Sequence, residues 1–323
     1  VGSGDDEFFP SVSNTGVHIG EGVNPAFAGA FGYADADAER NGNGNGDANA
    51  FAALSVVAAN QIELDGRVGY WNEEGTGVWI GEGVAAYFAE ATGYADATAS
   101  RNGNGDGDAV AIASAQVIAA NGVEIFGNVG QENYGSVGVY IGEGVYAGNA
   151  FAEGVAAAGA SRNANGDGDA WADSGLTVAA INSIEIGGWV DDFTGASTGV
   201  LIGEGVMAEE AFAAGESLAW ASRNANGDGD ASAIATLQVQ AVNSVVIGGG
   251  VGDADPDAMS STGVFIGEGV TSRLAVAEGY AAAEASRDAN GDGDAAASAA
   301  VQVIANNNIA VTGAVGADFD DNS

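Results

Sequence analysis

The sequence predicts an all-β protein: five tandem units of about 61 residues, each a β-hairpin or β-arch, stacked into an elongated sheet sandwich or a β-solenoid. Three observations carry that expectation. The phrase Ile-Gly-Glu-Gly-Val occurs five times, at steps of 61, 61, 61 and 64 residues. Small and large side chains alternate over long stretches, which is the period of an extended strand. An Asn/Asp/Gly-rich turn divides every unit, and Asn-Gly and Asp-Gly supply the positive φ values that tight turns need.

The repeat is written in three series of landmarks: Glu21, Glu82, Glu143, Glu204 and Glu268; then Arg40, Arg101, Arg162, Arg223 and Arg287; then Asn60, Asn121, Asn182, Asn243 and Asn307. All three step identically, so the units are 15–75, 76–136, 137–197, 198–261 and 262–323, preceded by a joint segment at 1–14. The three additional residues of the fourth step fall between Asn243 and Thr262, an interval holding Asp253 and Pro256 that reads as a loop insertion.

Each element follows from the second unit. From Val78, alternate positions give Val78, Ile80, Glu82, Val84, Ala86, Phe88, Glu90, Thr92, Tyr94, Asp96, Thr98 and Ser100, while the intervening positions after Trp79 are almost all Gly and Ala. Unbroken, this strand would run roughly 75 Å, far longer than ordinary strands, so bends are expected. The glycines around Glu82 and the Asn121–Gly122 step are the preferred corners. The turn runs from Arg101 to Asp108. On the return half, Ala109, Ala111, Ala113 and Ala115 share one face, and Val110, Ile112, Ser114, Gln116 and Ile118 the other. A helical reading of alanine-rich stretches such as Ala208 to Ser222 has alanine's propensity behind it. Recurrent glycines and alternation on both sides of the turn outweigh it. The Gly/Ala face would mesh closely with a second sheet, leaving Val, Ile, Phe, Tyr and Trp to form a conventional core on the other.

Composition narrows the function. Glycine is 54 of 323 residues with only three prolines, which excludes collagen and proline-rich linkers, and 46% hydrophobic residues suffice for an ordered chain. Forty-five acidic residues against seven basic ones, all arginine, give a net charge of −38. Such a surface repels nucleic acid and anionic membrane, and calls for a salty medium or bound cations. No apolar window is long enough for a membrane span. The absence of cysteine removes disulfides and thiol chemistry. The chain opens on an acidic stretch with no signal-peptide pattern, as a processed protein would.

The turns set oxygen-bearing side chains at alternate positions, as a Ca²⁺ site requires: Asp47; Asn104, Asp106 and Asp108; Asn165, Asp167 and Asp169; Asn226, Asp228 and Asp230; Asp288, Asn290, Asp292 and Asp294. Two readings stand: residues that serve turn geometry alone, or a calcium site. The stretch from Asp288 resembles the start of an EF-hand or dockerin loop, but its twelfth position is Ala299. The Gly-x-Asp pattern resembles the calcium-binding toxin repeats, whose period is much shorter. No other cofactor is called for. The Glu21 and Arg40 series form either an ion-pair ladder or two sets of solvated charges. His18 aligns with Trp79, Tyr140, Leu201 and Phe265, a variable surface position. No catalytic constellation repeats, so an enzyme is not expected; paired carboxylates keep glycoside hydrolysis as a minor alternative.

Both ends of the array keep the landmark residues, and Val1-Gly2 with Asn14 to Val17 matches the joint from Val251 to Val264. Neither end reads as a cap, so the chain is expected to pair with copies of itself through open strand edges. Gly/Ala/Val/Asp-rich tandem β-repeats without cysteine or lysine resemble the major sheath proteins of filamentous methanogenic archaea and, more distantly, curlin-type functional amyloids. That resemblance implies an extracellular or cell-surface tube, sheath or filament, with other cell-envelope components as further partners. The alternative is a calcium-dependent adhesin or carbohydrate-binding β-solenoid.

Overall fold

The computed structural model describes residues 14–69, 74–130, 135–163, 165–191, 196–224, 226–253, 261–288 and 290–316. The joint segment at 1–13, the insertion beyond Asp253 and the end of the chain beyond Gly316 lie outside them. Every described element is a β-strand.

Each unit contributes one short strand and two long ones. The short strands are β1 (Asn14–Ile19), β4 (Gly75–Ile80), β7 (Val137–Ile141), β10 (Thr198–Ile202) and β13 (Thr262–Ile266). The outgoing strands are β2 (Ala28–Arg40), β5 (Val84–Arg101), β8 (Val145–Arg162), β11 (Val206–Arg223) and β14 (Val270–Arg287). The returning strands are β3 (Ala48–Val68), β6 (Ala109–Val129), β9 (Ala170–Val190), β12 (Ala231–Asp253) and β15 (Ala295–Gly316). Like pairs with like, always parallel, so the chain winds a β-solenoid with three five-stranded sheets and one unit per rung.

The hairpin alternative is thereby corrected. Outgoing and returning strands of one unit lie in different sheets and face each other, and their backbone ladders run only to neighbouring rungs. A period of two cannot tell these cases apart, because it records which side chains share a face and not which strand pairs with which.

Two packing regimes result. Over most of the cross-section, alanines of an outgoing strand (Ala89, Ala91, Ala95, Ala97 and Ala99) meet alanines of the returning strands (Ala109, Ala111 and Ala113), all buried in one continuous seam. Towards the short sheet the seam gives way to a core of branched residues: Val78 and Ile80 from β4, Val84 from β5, Val123 and Ile125 from β6. Where the short strand crosses the end of the returning strand, glycine meets glycine, and a Cβ on Gly127 would run into the Gly138 carbonyl.

Three further expectations change. The chain does turn at Gly81–Gly83, between β4 and β5. The alternation read as continuous from Val78 to Ser100 then shifts phase near Tyr87, which the ladder between β5 and β8 skips. Beyond the shift the alanines point inward and the large side chains outward, so no conventional core of Phe, Tyr and Trp forms on the other face: Phe31 is 71% and Trp220 42% exposed. Finally, β6 runs unbroken through Asn121–Gly122, which is no corner.

Candidate functional site

The largest fully buried side chains in the described molecule are Arg101, Arg162 and Arg223. Each ends an outgoing strand and fills the arc that leads to the returning one. Arg162 Nε donates to the Gly107 carbonyl at 3.0 Å and Nη2 to the Gly105 carbonyl, both in the preceding rung, while Nη1 donates to Gly166 of its own arc at 3.1 Å. Arg223 repeats the pattern on Gly168, Gly166 and Gly227, and Arg287 on Gly229, Gly227 and Gly291. A planar fork of five donors is matched to such a ring of carbonyls. Burial lowers the pKa of Arg162, the guanidiniums of Arg223 and Arg101 add to the effect, and the carboxylates of Asp108 and Asp106 oppose it. The arc needs glycine: Gly105 has φ of +131°, and its counterparts Gly44, Gly166, Gly227 and Gly291 are also positive.

The turn oxygens point along the stack. The Asn165, Asp167 and Asp169 amides donate to Oδ1 of Asn104, Asp106 and Asp108 at 3.1, 3.2 and 2.9 Å, and the Asn226, Asp228 and Asp230 amides repeat this one rung on. Asp292 and Asp294 continue the pattern on Asp228 and Asp230, and Asp108 on Asp47. Among the described residues, no group of three His, Cys, Asp or Glu is arranged to hold a metal ion.

The Asn series lies in the returning sheet, facing inward. Nδ2 of Asn60, Asn121 and Asn182 donates to Oδ1 of the next Asn at 3.0 Å in each case. The same amides reach the outgoing strand at Ala86 and Gly148, where its alternation breaks. The ladder therefore closes the boundary between the alanine seam and the branched core. Glu21, Glu82, Glu143, Glu204 and Glu268 stand exposed at the sharp corner. They do not meet the Arg40 series, because an 18-residue strand such as β5 separates Glu82 from Arg101, about 60 Å at ~3.3 Å per residue. The ion-pair ladder is corrected on that ground: the guanidiniums of Arg101, Arg162, Arg223 and Arg287 go to backbone carbonyls instead. His18 is exposed and stacks on Trp79, ring centroids 4.3 Å apart.

Sequence reasoning missed two groups. Ser136 and Ser197 form a buried hydroxyl ladder at the head of the short sheet, with Ser136 Oγ accepting from the Gly75 amide at 2.9 Å. Its signal was the serine that recurs one unit apart. Tyr146, Glu209 and Arg273 form a surface triad, with the Tyr146 hydroxyl donating to Glu209 and Arg273 bridging it at 2.9 Å. Burial, then the Glu209 carboxylate, pushes the Tyr146 pKa well up. Glu209 and Arg273 stand at equivalent positions of adjacent units, 64 residues apart, so opposite charges at the repeat step were the signal for that pair. Tyr146 comes from a third unit at a different position, and no sequence signal marks it.

Among the described residues, nothing covers the end rungs. Val178 and Val239 are 0% exposed, whereas the equivalent Val303 of the last rung is 42% exposed. Val311 and Val315 are likewise exposed there, and at the other end the inward alanines of β2 are half-buried. No protein-family model matches the chain, and neither a curated protein nor a solved structure matches it significantly.

Proposed function

We propose that this chain is a structural, non-enzymatic protein that assembles with copies of itself by sheet stacking into an extracellular filament, tube or sheath. The exposure of Val303, Val311 and Val315 on the last rung carries the reading. Side chains that form the dry interior of every inner rung end there in solvent, beside the open edges of β14 and β15, and uncovered strand edges with apolar neighbours recruit further strands. The ladders support it, since Asn, Arg and Asp partners each lie one rung away and a further rung would extend every column. The acidic exterior keeps such a polymer dispersed sideways. Negative-stain electron microscopy of the purified chain should show fibres or tubes; dispersed particles at all concentrations would overturn the proposal.

A second reading, a carbohydrate-binding or calcium-dependent adhesin, draws on the outer face of the short sheet. Trp79 and Tyr140 stack there with centroids 5.9 Å apart and planes within 5°, and stacked rings suit sugar faces. Glycan-array binding with and without Ca²⁺ tests it.

A further inference from the structure

Resting on the self-assembly reading, we infer that copies join head to tail and in register, and that the joint is an arginine site completed by the second copy. The first rung of one copy seats on the last rung of another, and Arg40 takes its acceptors from the partner copy's final arc.

The starting observation is Arg40 Nε, which is buried and has no hydrogen-bond partner. Leaving such a donor unmade is costly, and native proteins seldom do so. Its equivalents show what is missing. In Arg101, Arg162, Arg223 and Arg287, Nε donates to the second glycine carbonyl of the preceding arc, namely Gly46, Gly107, Gly168 and Gly229. Nη2 donates to the first: Gly44, Gly105, Gly166 and Gly227. Arg40 belongs to the first rung, so no preceding arc exists within the described residues. The acceptors the series assigns to it are the carbonyls of Gly293 and Gly291, on the outer side of the last arc.

The remaining groups at the two ends complement each other in the same sense. Throughout the stack, amides of a rung donate back to Asn and Asp side chains of the rung before. The amides of Asn43, Asn45 and Asp47 therefore face the direction in which Asn290, Asp292 and Asp294 of a preceding copy would offer oxygens. The Asn ladder runs with fixed polarity, Nδ2 of one rung to Oδ1 of the next, so Asn307 supplies the donor that Asn60 Oδ1 accepts. A head-to-head contact would set like against like at every one of these points, amide and guanidinium donors against donors and Asn60 Oδ1 against Asn60 Oδ1. The joint is thus the inter-rung interface already repeated inside the chain, made between chains. Each copy adds five rungs, about 24 Å of fibre at ~4.8 Å per strand.

The test uses engineered cysteines in the full chain, which has none of its own. Asn49 and Ala296 are exposed and occupy the same ladder position, Asn49 pairing with Val110 and Ala296 with Ser232. In a head-to-tail joint they become direct neighbours. The double variant Asn49→Cys/Ala296→Cys should give a ladder of covalent multimers on oxidation, with each single variant remaining uncross-linked. In parallel, Arg40→Ala should raise the critical concentration for assembly about tenfold or more, while the melting temperature of the dispersed chain stays within about 2 °C of wild type. Dimers from the single variants, or fibres from which the double variant yields no multimers, overturn the head-to-tail joint and leave self-assembly standing. Fibres that form equally well with Arg40→Ala overturn the arginine site. A wild-type chain that stays monomeric at every concentration removes the assembly reading itself.

Discussion

The alanine seam and the branched core lie side by side on every rung and solve the same problem in opposite ways. Beneath the short sheet, Ile141, Ile184 and Val145 fill space with large side chains, and burial of hydrocarbon holds the sheets together. Along the seam, Ala150, Ala152 and Ala170 bury little area each. Close approach, an arginine in the arc and glycine sockets for the facing Leu and Val stabilise that half instead. The difference teaches where each half is vulnerable: the core at any large side chain, the seam at its few specific devices.

Removing the device that closes the seam should do the most damage. Arg162→Ala takes the guanidinium from the carbonyls of Gly107 and Gly105 and leaves that of Gly166 with Arg223 alone, and a loss of about 3–5 kcal/mol in denaturant unfolding is expected. Arg162→Lys should recover only part, since an ammonium cannot reproduce the fork. A cost under about 1 kcal/mol would mean that the arc closes by turn chemistry alone.

Truncation compares the halves directly. Ile141→Ala should cost about 2–5 kcal/mol, against about 1 kcal/mol for Ala152→Gly in the seam. Equal costs would erase the distinction. Adding volume should reverse the ranking: Gly154→Ala puts a Cβ 2.9 Å from both Leu176 Cδ1 and Val178 Cγ2, a clash worth about 1–3 kcal/mol.

The smallest effect is a pH dependence on the seam's outer face. Burial, then the charge of Asp35, raises the pKa of Asp96, and burial raises that of Asp173 between the ladder neighbours Ile112 and Ile234. A carboxyl whose folded pKa exceeds its ordinary 3.8 binds its proton more tightly folded than unfolded. Stability therefore falls as pH rises through the folded pKa, and grows as pH drops towards the ordinary value. Asp96→Asn should flatten the melting-temperature profile above the ordinary carboxyl value of 3.8; an unchanged slope would assign it to the summed charge of the surface.

Much of this was legible in the amino-acid order. The three landmark series, the alternation and the Asn-Gly and Asp-Gly turns define the rung, its period and its all-β character, because each is a local property repeated at fixed spacing. The partners of Asn121 and Asn182 follow from the same spacing once like strands stack. The arginines were visible as a series but not as the filling of the arcs, since their partners are backbone carbonyls, which leave no trace in residue identity.

What only the tertiary structure decided is which strand pairs with which, and which face is inside. A period of two holds for hairpin and arch alike, so the choice fell to the arc, where a buried guanidinium keeps the two halves of a unit facing each other rather than side by side. The same period is silent on phase, and the break near Tyr87 turned alanine inward and Phe, Tyr and Trp outward. Two faces of methyl groups can approach closely over their whole length, and that continuous contact outweighs the greater hydrophobicity of scattered rings.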